Sequence, residues 1–133
     1  MTDVIRIAVG TYRGLGGGGL YPLTWDGSDW TIGDPNAGIA DASWGIATAN
    51  GYAFVEEGDP GRITVTTRDL AVIAQRESGG AAPCHLALAP DGVSIAVANY
   101  QDGRVAITAC GRALAVHQGD GGPEHTLHKE ASR

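Results

Sequence analysis

The stretch Ser78–Tyr100, SGGAAPCHLALAPDGVSIAVANY, decides how this chain is read. Pro83 to Leu88 suits an extended segment. Asp91-Gly92 is a hairpin signal, because glycine reaches positive φ at no steric cost. Ser94 to Asn99 follows with β-branched residues at alternate positions, Ile95 and Val97. The stretch therefore reads strand, tight turn, strand. Gln101-Asp102-Gly103 turns the chain again into Arg104-Val105-Ala106-Ile107, and Ala113 to Val116 makes a fourth run.

Four short antiparallel strands in about 35 residues are the content of one propeller blade. Working backwards, the same unit recurs. Trp44 to Thr48, Tyr52 to Glu57, Ile63 to Thr67 and Leu70 to Gln75 read as strands, with turns at Asn50-Gly51 and Gly58 to Gly61. Gly51 and Gly92 lie 41 residues apart, and Ile63-Thr64-Val65 repeats as Val105-Ala106-Ile107. Ile5 to Thr11, Leu20 to Trp25 and Trp30 to Ile32 form an earlier unit that lacks an opening strand. Val9, Val55 and Val97 are taken as equivalent positions.

The expected fold is all-β, a partial β-propeller of four-stranded antiparallel blades. Blade one, without its inner strand, spans 4–33, blade two 43–77 and blade three 83–118, with a polar, loosely ordered tail over 119–133. Two and three-quarter blades cannot close a ring of 4–8. Uncovered blade faces would favour self-association.

Composition removes several function classes. The 133 residues carry 9 basic and 15 acidic side chains, a formal charge of −6. No basic stripe offers a nucleic-acid surface. No signal-peptide pattern opens the chain, and no apolar run is long enough to span a membrane, so a cytoplasmic protein is expected. Cys84 and Cys110 read as free thiols in that setting. Gly14, Gly16 and Gly19 match G-x-G-x-x-G formally, but the strand-like Leu-Tyr-Pro-Leu-Thr-Trp follows where a dinucleotide site needs a helix. His125 and His128 lack a third ligand for a metal, and no cofactor is implied. Trp25, Trp30 and Trp44 read as packing between strands and blades.

The blade pattern places one set of polar residues together. His85 opens an inner strand, and Asn99 ends its antiparallel neighbour, so both lie at one sheet edge. Thr11 and Glu57 take the repeat position of Asn99. Thr11, Glu57, His85 and Asn99 are thus candidate ligand-binding residues on one rim. His85 is the candidate catalytic base, and Arg13 is a weaker candidate for an anionic group.

Val9-Gly10-Thr11-Tyr12, Gly79 to His85, Pro90-Asp91-Gly92 and Val97-Ala98-Asn99-Tyr100 together resemble the β-propeller lactonase family, the 6-phosphogluconolactonase-like and carboxymuconate cyclase-like group. The resemblance spans roughly residues 5 to 123. It implies a seven-bladed ring and a cytosolic hydrolase that opens a sugar lactone, in the best-known case 6-phosphogluconolactone of the pentose phosphate pathway. It implies no obligatory metal. After Gly122-Pro123 the family's Arg-Gln-Glu and Pro-His-Ala-His segment is replaced by Glu124-His125-Thr126-Leu127-His128. The family's suspected catalytic histidine, glutamate and arginine lie mostly beyond that point, so none is carried over. The resemblance thus implies a truncated member. The competing reading is a non-enzymatic propeller fragment used for binding or assembly.

Overall fold

A computed structural model describes residues 3–109 and 115–118. Its strands are β1 (Ile5–Val9), β2 (Tyr21–Trp25), β3 (Trp30–Ile32), β4 (Ala42–Ala47), β5 (Gly51–Glu56), β6 (Arg62–Thr67), β7 (Val72–Glu77), β8 (Pro83–Leu88), β9 (Ser94–Asn99), β10 (Arg104–Ala109) and β11 (Ala115–Gln118). They form three antiparallel sheets in the orders β1-β2-β3, β4-β5-β6-β7 and β8-β9-β10-β11. This is the partial propeller expected from the repeat. Cys110, the start of the fourth run at Ala113, the 119–133 tail, His125 and His128 lie outside the described residues.

The turns explain why the strands stop where they do. Asp91 Oδ1 accepts from the backbone N–H groups of Val93 and Ser94, and Gly92 sits at φ 73°. Asp26 does the same for Ser28 and Asp29. The N–H of Asp29, then that of Ser28, lowers the Asp26 carboxyl below its ordinary value. These are aspartate side chains mimicking a backbone turn.

Two expected boundaries move. Asn50-Gly51 is not the centre of its turn: the Thr48 N–H bonds the Gly51 carbonyl, and Gly51 already opens β5. Glycine is required there for space, since a Cβ would lie 1.9 Å from the Thr66 carbonyl oxygen. The strand expected from Leu70 starts at Val72, because Leu70 itself is left-handed, at φ 66°.

Two cores hold the sheets face to face. Ala53, Val55 and Ile63 meet Leu86, Ile95, Val97 and Ala106 between the second and third sheets. Leu20, Ile39, Ala42 and Phe54 pack with Ala8, Tyr52 and Leu70 between the first and second. Side chains alternate along β1, so Ile5, Ile7 and Val9 point away from the Ala8 core. They are 48%, 44% and 40% exposed. Trp30 and Ile32 are exposed as well, so the first sheet carries an uncovered apolar surface. A cleft of 510 Å³ runs between β1 and β4, lined by residues of both strands. By the repeat, that is where an inner strand of the first sheet would lie.

Candidate functional site

The second and third sheets begin with the same device. β4 and β8 each carry a bulge at their start, between Ala42 and Trp44 and between Pro83 and His85. Each bulge follows a left-handed residue, Asp41 at φ 56° and Ala82 at φ 52°. The carbonyl of that residue accepts the N–H of the residue just past the neighbouring strand: Glu57 onto Asp41 at 2.9 Å, and Tyr100 onto Ala82 at 3.0 Å. Bulges of this kind re-aim side chains at strand ends. They make Ser43 the counterpart of Cys84, and Trp44 the counterpart of His85.

This register corrects the repeat read from sequence. Glu56 lies opposite Arg62, as Asn99 lies opposite Arg104. Asn99 therefore corresponds to Glu56, and Glu57 corresponds to Tyr100. A slip of one residue changes the face of the sheet. Glu56 and Asn99 are accordingly buried anchors. Asn99 is 0% exposed, and its Oδ1 accepts from Ser78 Oγ at 2.6 Å. Its Nδ2 donates to the carbonyls of Ser78 and Arg104. Both amide hydrogens are spent, so the sequence-based placing of Asn99 on the ligand rim is corrected to a brace between sheets. Glu56 Oε1 accepts from the Ala40 N–H at 2.8 Å and pairs with Arg62 at 2.7 Å. Its Oε2 accepts from Thr64 Oγ1 and Gln75 Nε2.

The other candidates divide. Thr11 is half-buried and closes the glycine loop: its Oγ1 donates to the Gly19 carbonyl at 2.6 Å and accepts the Gly19 N–H. Its hydroxyl is occupied within the chain. Arg13 opens a short 3-10 turn over Arg13–Leu15. Its guanidinium donates to the Ala37 carbonyl at 2.6 Å, and its N–H to Asp41 Oδ1. Arg13 thus leans onto the connector before β4. No helix follows Gly19, which removes the dinucleotide reading.

Glu57 and His85 remain on the rim. Glu57 is half-buried, and its Oε2 accepts from the Tyr12 hydroxyl at 2.8 Å. That bond, then burial and the Glu57 charge, raises the Tyr12 phenol above its ordinary value; Asp41 adds to this, and the nearby Ser43 hydroxyl works the other way. Ser43 Oγ is buried beside the pair with no hydrogen-bond partner within 3.5 Å among the described residues, and its effect on Tyr12 is that of a longer-range donor. Cys84 is exposed overall, but its sulfur lies over the Ala98 carbonyl. Burial first, and Glu57 second, raises its thiol pKa, which makes it a poor nucleophile at neutral pH. His85 stacks on Trp44, ring centroids 4.8 Å apart and tilted by 31°. Trp25 and Trp30 pair with each other across their strands, whereas Trp44 faces solvent.

Tyr12, Ser43 and Trp44 were missed in the sequence reading. A comparison of inner strands at an offset of 41 residues would have set Trp44 beside His85. Nothing in the sequence shows the bulges. Among the described residues no group of three metal-ligating side chains comes together, and no helix is long and apolar enough to cross a membrane. An apolar crevice of 280 Å³ between Ile63, Val65, Ile73, Leu88, Val93 and Ile95 lies at the far end of the sheets from this rim.

A hydroxyl–carboxylate pair held over two bulged inner strands defines a propeller rim with polar groups at its mouth. The chain belongs to the family described as Lactonase, 7-bladed beta-propeller, which matches residues 6–129. Two solved structures share the fold. One is a candidate 6-phosphogluconolactonase of Bacteroides fragilis NCTC 9343, with a TM-score of 0.74 and 23% identity over 89% of this chain. The other is a candidate 6-phosphogluconolactonase of Bacteroides uniformis ATCC 8492, with a TM-score of 0.71 and 20% identity, again over 89% of this chain. The chain spans 37% and 38% of their lengths. No curated protein matches it.

The Tyr12–Glu57 bond predicts a titration. Tyr12 should ionise above the ordinary phenol value, and Glu57→Gln should bring it down. A proton held more tightly in the folded state stabilises it below the unfolded pKa, and that contribution is lost as pH rises through the raised pKa. Tyrosinate absorbance of the protein minus that of Tyr12→Phe isolates this group. An unshifted difference curve would mean that the contact is absent in solution.

Proposed function

We propose that this chain is part of a hydrolase that opens a sugar lactone, with its site on the rim holding Tyr12, Glu57 and His85. The observation carrying this reading is the gathering of those polar groups at the inner-strand ends of a lactonase-family propeller. The resemblance makes 6-phosphogluconolactone, giving 6-phosphogluconate in the cytoplasmic pentose phosphate pathway, the first substrate to test. The blade limits 4–33, 43–77 and 83–118 belong to the same reading.

Lactone opening adds water to the carbonyl carbon and breaks the ring C–O bond, and the ring oxygen gains a proton. It needs a base for the water and a donor for the developing oxyanion. On this reading His85 takes the proton of the attacking water and returns it to the ring oxygen. Glu57 accepts from substrate hydroxyls, and the Tyr12 hydroxyl is the donor closest to it. His85→Ala should lower kcat/KM by about 100-fold. An unchanged value, with the fold intact, would remove His85 from the chemistry.

The uncovered apolar surface of the first sheet supports a second reading, an assembly module that associates with further copies. Native mass separates the two: discrete multiples of the chain mass favour assembly.

A further inference from the structure

The register of the first sheet sorts its side chains onto two unlike faces. Across β1 and β2, Ile5 lies opposite Trp25 and Ile7 opposite Leu23. Across β2 and β3, Trp25 lies opposite Trp30 and Leu23 opposite Ile32. Opposite residues point the same way, so these six share one face, and the Val9–Tyr21 pair extends it. The alternate residues face the second sheet, where Ala8 joins the core and Arg6 reaches Asp69. The outer face is therefore apolar or aromatic at every strand position and carries no charge.

We propose that this face is a self-complementary docking surface, and that its occupant is the same face of a second copy of this chain, related by a twofold axis. The pairing rests on the assembly reading and gives it one surface and one stoichiometry.

Area favours a stable contact. Ile32 is 66% exposed, Trp30 49% and Ile5 48%. The face as a whole offers on the order of 600 Å² of apolar surface, as much as the largest patch an ordinary monomer leaves open. Two such faces bury about 1,200 Å², the lower end of a standard specific interface. Trp25 and Trp30 hold each other across their strands, ring centroids 5.4 Å apart, and such braced aromatics are the anchors that carry interface energy. Two apolar sheet faces pack in this way in any β-sandwich.

The twofold axis follows from the other end of the chain. A head-to-tail stack would need a second open apolar face there. The register sets Ala98 opposite Val105 on the outer face of the third sheet, and both are already buried, at 8% and 0% exposure. Among the described residues the open face thus has its own copy to meet, and a contact between identical faces closes at two.

Sedimentation equilibrium and native mass spectrometry of the full chain, from micromolar to submillimolar concentration, test this. Twice the chain mass is expected, with nothing larger, and tryptophan emission should move to the blue as the pair forms. Ile32→Glu puts a charge where the single chain tolerates it, and should weaken pairing at least about tenfold. Thr31→Glu adds the same charge to the other face of β3, opposite Thr24, and should leave pairing intact. Trp30→Ser serves if Ile32→Glu fails to fold. A pair indifferent to Ile32→Glu, as pairing along the open edge of β1 would be, overturns the docking face. A ladder of trimers and larger species overturns the twofold contact and leaves the assembly reading standing. A chain that stays single at every concentration, its face then left to other blades of a ring, sinks both.

Discussion

Glu56→Ala will destabilise the fold by about 3 kcal/mol. Glu56 is 5% exposed and carries four partners: the Ala40 N–H, Arg62, Thr64 and Gln75. Truncation strands the Ala40 donor and the Thr64 hydroxyl in the interior. It also frees the connector of residues 36–41, which Arg62 and Gln75 hold through the Gly38 carbonyl. Arg62→Ala should cost much less, because its side chain is 44% exposed and water can replace its bonds. For a domain of this size the Glu56 loss should lower Tm by more than about 10 °C. Thermal melts of the two variants check the order. A Glu56→Ala loss below about 1 kcal/mol would mean that the network does not anchor the connector.

The second large effect is expected at Asn99. Asn99→Ala removes the donor to two buried carbonyls and the acceptor for Ser78, a cost of about 2–3 kcal/mol. Asn99→Asp is the sharper variant. It keeps the shape but points a carboxylate at the carbonyls of Ser78 and Arg104, in a site with 0% exposure. At neutral pH it should be worse than alanine, and acid should restore part of the loss by protonating the carboxyl. Urea unfolding at two pH values measures this. If Asn99→Asp were as stable as the parent, the amide would lie open to solvent, and its earlier assignment to the ligand rim would return.

The same residue shows how far the sequence could be read. Turn residues are local, so Asp26-Gly27 and Asp91-Gly92 declare their hairpins in the sequence. The repeat length comes from the spacing of Gly51 and Gly92, and the partial propeller follows. Registry across strands is not local. Val9, Val55 and Val97 look equivalent because Tyr52-Ala53-Phe54-Val55 and Ile95-Ala96-Val97-Ala98 are apolar or aromatic at every position, so a one-residue slip still sets apolar on apolar. The bulges at Ser43 and Cys84 fix the true register, and they depend on the left-handed turns at Asp41 and Ala82. Aspartate is a weak signal for such a conformation and alanine is none. Glu57 lies just past β5 and His85 just past the β8 bulge, while Asn99 sits in the interior. Tyr12 was visible in Val-Gly-Thr-Tyr, but its bond to Glu57, 45 residues away, was not.

The measurement closest to the central claim is lactone opening itself. Purified chain is added to freshly formed 6-phosphogluconolactone and, separately, to glucono-1,5-lactone, and acid release is compared with spontaneous hydrolysis at the same pH. The account predicts a protein-dependent rate that falls with His85→Ala and Glu57→Gln. A rate equal to the spontaneous one for both lactones, from a folded sample, would contradict the claim that this rim performs the hydrolysis.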